Sequence, residues 1–510
     1  MKIITICQII AILLSCALFA APAAAKTWHV PGDAATIKGG INLASTGDTV
    51  LVACGTYYEH DIRMKSGVCL RSETGNASCV TIDAQQQDRV IYCRFVTNTA
   101  RIEGFTITGG VASEGGGLWC LDNSSPLVKN CVITGDSASD YGGGVRCDVN
   151  SSPTFLGCTI SGNSAGNGGG ISCHDNSDPT LTDCVLSDNV GGGLECYHFC
   201  SLTLTNCALS NNWAPVGGGI HVSRRSTITL AGCTFSGNTG DWRGGGMSLA
   251  FDASASLSNC TFTNNSTGGT GAGMYIAPTT SATLSNCSFA GNSGRRGTGI
   301  ALDDVTITLT SCSFTGNTAD SDGTILACGA SHLIADATQF ENNSAGSGAG
   351  ISLHNNASAT LTNCTFADNS AESGGGGMFV RDDATATLTD CSFADNSAQL
   401  YGGGIALEGT SVTLNGCSLT GNYAYEGGGI CLYYTSQLAA DTTAFENNTC
   451  RRMNAGAHGY VTSGSEAVLT CCVPDLSGFT GDGIITLNNE GCLTPTEPTT
   501  WGRVKAMYAE

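Results

Sequence analysis

Two acidic doublets, Asp303-Asp304 and Asp382-Asp383, are the side chains of this sequence that first suggest chemistry. Paired carboxylates hold Ca²⁺ or divide acid and base work in sugar cleavage. The doublets fall three repeats apart, which a stacked chain turns into about 14 Å at about 4.8 Å per layer. That is too far for one acid–base pair, and both doublets are expected as solvated turn residues. The repeat supplies no partner for His221, His354 or His458, which are expected as surface residues. Cysteine is abundant, with 28 in the sequence, yet no Cys-x-x-Cys spacing occurs. Neither a metal nor a cofactor is therefore expected.

A second set is better suited to binding. Trp213, Trp242, Arg243, Arg295, Arg296, Tyr401, Tyr423 and Tyr425, with Tyr141, Arg451 and Arg452, fall in the most variable part of each repeat. Aromatic rings and guanidinium groups along one edge of a scaffold can stack on sugars or grip a protein. Variable segments on a rigid frame commonly carry recognition. These residues are the binding candidates, with glycans or surface proteins as partners.

The frame that must position them is a repeat. The phrase Leu-x-x-Cys-x-Phe-x-x-Asn, a polar stretch and then Gly-Gly-Gly-Ile recurs through residues 118–448. Its cysteine slot falls at Cys131, Cys158, Cys184, Cys207, Cys233, Cys260, Cys287, Cys312, Thr338, Cys364, Cys391, Cys417 and Thr443, in steps of 23 to 27 residues. A fixed period of this size marks a stacked array whose units bury apolar surface against their neighbours. Glycine triplets forbid a helix of useful length. Alternation such as Cys260-Thr261-Phe262 and Met274-Tyr275-Ile276 signals strands. Each copy is thus one triangular turn of three short strands.

Stacked turns make columns. The aromatic slot, including Phe235, Phe262 and Phe289, is apolar in every copy and faces inward. Asparagine follows the cysteine slot by five residues at Asn163, Asn189, Asn212, Asn238, Asn265, Asn292, Asn317, Asn343, Asn369, Asn396, Asn422 and Asn448; the first copy has Asp136 instead. A side-chain amide there can satisfy bend backbone groups and bond to the amide of the next turn. Four early copies add a second cysteine, at Cys120, Cys147, Cys173 and Cys196, which admits disulfides across the core. Later copies put Val222, Leu249, Ile276 and Leu302 in that slot, so buried free thiols are the expected state. Disulfides are expected off the ladder, among Cys54, Cys69, Cys79 and Cys93, and among Cys450, Cys471, Cys472 and Cys492. A leucine-rich repeat has a similar consensus. It requires a helical or extended segment where this chain has the glycine triplet and a further alternating strand.

Phe-x-x-Asn with Gly-Gly-x-Ile resembles the repeats of chlamydial polymorphic outer membrane proteins. More broadly, the chain is similar to bacterial right-handed parallel β-helix proteins of the pectin-lyase-like class. The stretch Thr36-Ile37-Lys38 through Gly47-Asp48-Thr49-Val50 and Gly55-Thr56-Tyr57 resembles the opening of that class, which implies a short helix capping the first turn. The catalytic sets of pectin-active relatives do not appear.

Residues 1–25 read as a secretion signal: Lys2, an apolar stretch through Leu14 and a small-residue site at Ala23-Ala24-Ala25. Leu13-Leu14-Ser15-Cys16 also admits a lipoprotein reading. No retained transmembrane anchor is expected. A formal charge of −21 argues against nucleic acid as a partner. The expected organisation is a cap with irregular turns over 26–108, a regular all-β right-handed parallel β-helix over 109–470, and a terminal cap and tail over 471–510. The expected function is a non-catalytic, exported, monomeric rod at the cell surface or outer membrane, or secreted, that binds through its variable edge. The alternative is a polysaccharide lyase or glycoside hydrolase.

Overall fold

The computed structural model describes residues 24–452, 456–472 and 478–488. Residues 1–23 of the expected leader, Cys492 and the tail from Thr494 lie outside them. The chain winds as a parallel β-solenoid of about 17 turns. One turn runs Thr227–Ala231, Thr234–Ser236, Thr239–Arg243 and Met247–Leu249. Three continuous parallel sheets result, called here walls A, B and C after the first, second and last of those strands. The third strand was not expected. From Trp213 onward it forms a narrow fourth sheet between walls B and C, where the variable segment still pairs with its neighbours above and below. The wall C strands that follow the glycines, where a leucine-rich repeat needs a helical or extended convex segment, exclude the leucine-rich arrangement.

Inside, the columns stand as expected. Phe262 pairs in register with Phe235 and Phe289, and the rings stack at 4.4 and 4.7 Å with nearly parallel planes. Each is fully buried, and burial of such a side chain stabilises by about 1.5–3 kcal/mol. Asn265 shows how the bend is held. Its Nδ2 donates to Phe235 O and to Asn292 Oδ1, both at 3.0 Å, and its backbone N–H donates to the same Asn292 oxygen at 3.0 Å. Each amide from Asn163 to Asn422 thus ties the preceding turn to the next one. Gly273 follows because a Cβ there would sit 2.4 Å from Gly299 O.

The column has one flaw at its start. Asp136 is buried and its Oδ2 has no hydrogen-bond partner within the protein. Burial pushes this carboxyl well above the usual range, while the Gly110 backbone bond to Oδ1 only partly offsets it.

The ladder cysteines Cys131, Cys233, Cys260 and Cys287 are free, buried thiols, and so are Cys120, Cys147, Cys173 and Cys196. Cys260 Sγ donates to Ser258 O at 3.3 Å, a local bond that leaves it a small apolar filler. Cys54 and Cys79 form a disulfide between neighbouring turns. Cys471 is also disulfide-bonded, whereas Cys69, Cys93 and Cys472 are free. The helix α1, Ile37–Leu43, caps the first turn with Thr36 accepting from Gly39 N at 3.0 Å. Among the described residues no helix is long and apolar enough to cross a membrane.

Candidate functional site

Wall C positions the site. Its strands Leu194–Tyr197, Ile220–Ser223, Met247–Leu249 and Met274–Ile276 turn Leu194, Ile220, Met247 and Met274 into the core. Alternation then points the next residue outward. Glu195, His221, Ser248 and Tyr275 therefore form a column in register on the outer face. Two residues on, Tyr197, Ser223, Ala250 and Ala277 form a second column. Together they make the floor of a cleft of about 660 Å³.

Its two side walls come from the segments flanking each wall C strand. Before it, the fourth sheet supplies Ala214, Pro215, Val216 and Arg243; after it, two-residue turns supply Arg224, Phe251, Pro278 and Thr279. Arg224, Phe251 and Thr279 adopt left-handed backbone there. Elsewhere in the rod the position often holds residues that tolerate this, such as Asp122-Asn123, Asp175-Asn176 and Asn355-Asn356, although Val149-Asn150 and Tyr434-Thr435 also occupy it. Beside the cleft it holds His198-Phe199, Arg224-Arg225 and Phe251-Asp252, with φ between 52° and 68°. Bulky residues in this region cost on the order of 1–2 kcal/mol each, and such strain clusters at functional sites.

The strain places Arg224 between two rings, 4.9 Å from Tyr197 and 5.8 Å from Phe251. On the opposite side Arg243 lies 4.6 Å over Tyr275. Both guanidinium groups are pinned on aromatic faces. Across residues 131–294 the only lysines or arginines are Arg146, Arg224, Arg225 and Arg243. Two of these four line the cleft, and a third, Arg146, reaches it through a buried network.

In that network Arg146 Nη1 donates to Ser172 Oγ at 3.0 Å, and Ser172 Oγ donates to Glu195 Oε2 at 3.0 Å. His174 Nε2 lies 3.3 Å from the same oxygen. Burial pushes the Glu195 carboxyl up, but the His174 contacts and the Ser172 bond outweigh it and hold Glu195 below the usual carboxylate range. Burial pushes the His221 imidazole down against the opposing pull of Glu195, so it stands neutral near pH 7. Burial also lifts the Tyr275 phenol to about 12.

Three floor atoms have no hydrogen-bond partner within the protein: His221 Nδ1, Ser223 Oγ and Ser248 Oγ, all buried. They sit on adjacent turns and line the cleft. Leaving such a group unpaired costs about 1–3 kcal/mol, which a hydrogen-bonding ligand would recover.

A second polar cluster lies further along wall C. His354 Nε2 is 2.7 Å from Ser352 Oγ and 3.4 Å from Asp322 Oδ1, while Arg381 Nη2 reaches its Nδ1 at 3.0 Å. Arg296 pairs with Asp322 at 3.1 Å. Both ring nitrogens and the carboxylate are thus taken up by neighbouring side chains.

These placements correct the reading of the histidines. His221 is the register partner of Glu195, His354 belongs to the Asp322 cluster, and His458 Nδ1 lies 3.4 Å from Asn448 Nδ2. The acidic doublets are offset by one residue. Asp303 ends a wall C strand and receives the Tyr275 hydroxyl at 3.3 Å, while Asp304, Asp382 and Asp383 occupy left-handed turns. Trp213, Trp242, Arg243, Arg295 and Arg296 do share the fourth-sheet edge, and Tyr401 and Tyr423 continue it. Trp213 is exposed and donates to Asp241 Oδ1 at 2.9 Å; Trp242, Tyr423 and Tyr425 are exposed as well. Tyr401 packs edge-on against Tyr433 at 4.5 Å. Of this edge set only Arg243 lines the cleft. Among the described residues no group of three or more His, Cys, Asp or Glu side chains is placed to hold a metal ion.

A family model described as a right handed beta helix region matches residues 65–235, 216–345 and 323–490. The chain belongs to the right-handed β-helix family. No curated protein matches it. Two solved structures are similar over most of their length. One is a mannuronic acid specific polysaccharide family 6 lyase from human gut microbiota, with 11% identity over 94% of each chain and a TM-score of 0.26. The other is the PL6 family alginate lyase AlyGC, with 11% identity over 91% of this chain and 100% of that chain and a TM-score of 0.20. Functional assignment of this β-helix rests on the cleft itself.

Proposed function

We propose that this β-helix is an exported rod that binds an acidic glycan in the cleft over Glu195, His221 and Ser248. The observation that carries the reading is the set of three unpartnered floor atoms between two arginines. A glycan offers hydroxyls for His221, Ser223 and Ser248, a sugar face for Tyr197 and Phe251, and an anionic group for Arg224 and Arg243. The arginines gather positive charge on an otherwise acidic rod, which focuses an anionic ligand on this face. The leader-like start of the chain and repeats similar to those of polymorphic outer membrane proteins support secretion or surface display.

A glycan array probed with the purified chain tests this. Acidic glycans are expected to bind, and Arg243→Ala is expected to weaken them at least tenfold without changing the melting temperature. Equal binding of neutral glycans, or unchanged affinity in Arg243→Ala, contradicts the reading.

A second reading, cleavage of the bound chain, is supported by the neutral His221 imidazole beside the ionised Glu195. A neutral imidazole can accept a proton, the first requirement of a general base. Product release that is lost in His221→Ala would establish it; intact polymer after prolonged incubation would dismiss it.

A further inference from the structure

We infer that the anionic group held in the cleft is a sulfate ester on the glycan, rather than a carboxylate; this rests on the acidic-glycan reading above. The argument is one of donor geometry. Donors line the cleft on three sides: Arg224 on the turns, Arg243 on the fourth sheet, and the unpartnered Ser223 and Ser248 hydroxyls on the floor. A carboxylate is planar with two oxygens and is met best by a single guanidinium in a bidentate pair. Its acceptor lone pairs lie near one plane, so donors on three sides are not all met in line. A sulfate ester presents three oxygens in three directions and can accept from all of them.

Charge points the same way. The cleft liners Arg224, Arg243 and Glu195 carry a net charge of +1, with His221 neutral. A sulfate monoester carries one negative charge, whereas a phosphate monoester approaches about −2 at neutral pH and would meet Glu195 with surplus charge. Both guanidinium groups are also already seated on rings, at 4.9 Å on Tyr197 and 4.6 Å on Tyr275. A weakly hydrated guanidinium pre-organised in this way loses little freedom on taking a diffuse anion. Glu195, fixed by Ser172 and His174, stays at one end of the floor, where it can accept from a sugar hydroxyl.

Calorimetric titration separates the possibilities. The purified chain is titrated with a sulfated galactan, the same galactan after chemical desulfation, a phosphorylated galactan and an unsulfated polyuronate. Ser223→Ala, Ser248→Ala and Arg243→Gln are compared with Arg101→Gln, an exposed arginine far from the cleft. The expected result is binding of the sulfated polymer that falls at least tenfold on desulfation. The phosphorylated polymer and the polyuronate should bind more weakly. Each serine variant should lose about 3- to 10-fold and Arg243→Gln more, with Arg101→Gln unchanged. Tighter or equal binding of the polyuronate or the phosphorylated polymer overturns the sulfate assignment and leaves the acidic-glycan reading standing. Binding of the sulfated polymer that is equally reduced by Arg101→Gln reveals non-specific attraction and overturns the assignment. No binding of any acidic polymer overturns both.

Discussion

Around Glu195 and His221, the outer face of wall C leaves three buried polar atoms without partners and opens a cleft above them. Five turns further along, through Met247, Met274, Ile300, Ile325 and Ile351, the same face carries Ser352, His354 and Arg381, with Asp322 joining them from the fourth sheet. The two clusters contain the same residue types: an acid, a histidine, a serine and arginines. In the second, the side chains engage one another, with Ser352 and Arg381 each bonded to His354. A cluster of titratable groups on a rigid scaffold is therefore not by itself a site. What distinguishes the first is that its unpartnered atoms belong to residues that line a cleft, whereas Arg381, whose Nε is unpartnered in the second, does not line it.

The largest expected effect lies in the closed cluster. Asp322→Ala leaves Arg296, Arg381 and His354 without their shared acceptor. It should destabilise the rod by about 2 kcal/mol in a denaturant titration, discounted because both arginines are partly exposed. The same cluster carries a pH signature. Burial and the Arg381 charge push His354 down to about 4. The unfolded imidazole takes up its proton near pH 6.5, so the folded state loses stability as pH falls from there toward 4. Equal stability of wild type and His354→Asn across that range would break the assignment.

Asp136 sharpens the comparison, because its Oδ2 is also buried and unpartnered but belongs to the inner ladder, not to the cleft. Such an atom should only cost stability. Asp136→Asn restores the amide that the other turns use, and should stabilise by about 1–2 kcal/mol near neutral pH. The folded carboxyl titrates above its ordinary 3.8. Wild type therefore loses stability as pH rises from 3.8 through the folded value, and the advantage of the variant should disappear below 3.8. A pH-independent advantage would contradict this origin.

The smallest effects form the sharpest pair. Ser352→Ala removes the hydroxyl bonded to His354 and should cost about 1 kcal/mol. Ser248→Ala removes a buried hydroxyl with no partner in the protein, so it should cost no stability and should raise it by up to about 1 kcal/mol. Differential scanning calorimetry of both variants checks this; equal losses would erase the distinction.

The interior was legible in the sequence because one physical rule repeats. Each turn buries the same slot, so Phe262, Cys260 and Asn265 are set by their equivalents in neighbouring turns. The cleft was not legible for the converse reason. Glu195, His221, Ser248 and Tyr275 occupy one register position but share no residue type, so no consensus marks them. A signal was present. They are the residues that follow the inward column Leu194, Ile220, Met247 and Met274, and reading that next position down the repeat places the acid beside the histidine. The side walls were harder. Nothing in Arg224-Arg225 or in Phe251 reveals a left-handed turn, because these are not the residues that such turns favour. The aromatic and arginine edge was located by its variability, yet only Arg243 of that edge turns into the cleft, a matter of side-chain direction that spacing does not encode.

The most direct test compares Arg243→Ala and Arg381→Ala in one experiment that reads both acidic-glycan affinity and melting temperature. The account predicts that Arg243→Ala loses at least tenfold in affinity with an unchanged melting temperature, while Arg381→Ala melts earlier and binds as wild type does. Reversed outcomes, or a shared loss of both properties, would contradict the division between an open site and a closed structural cluster.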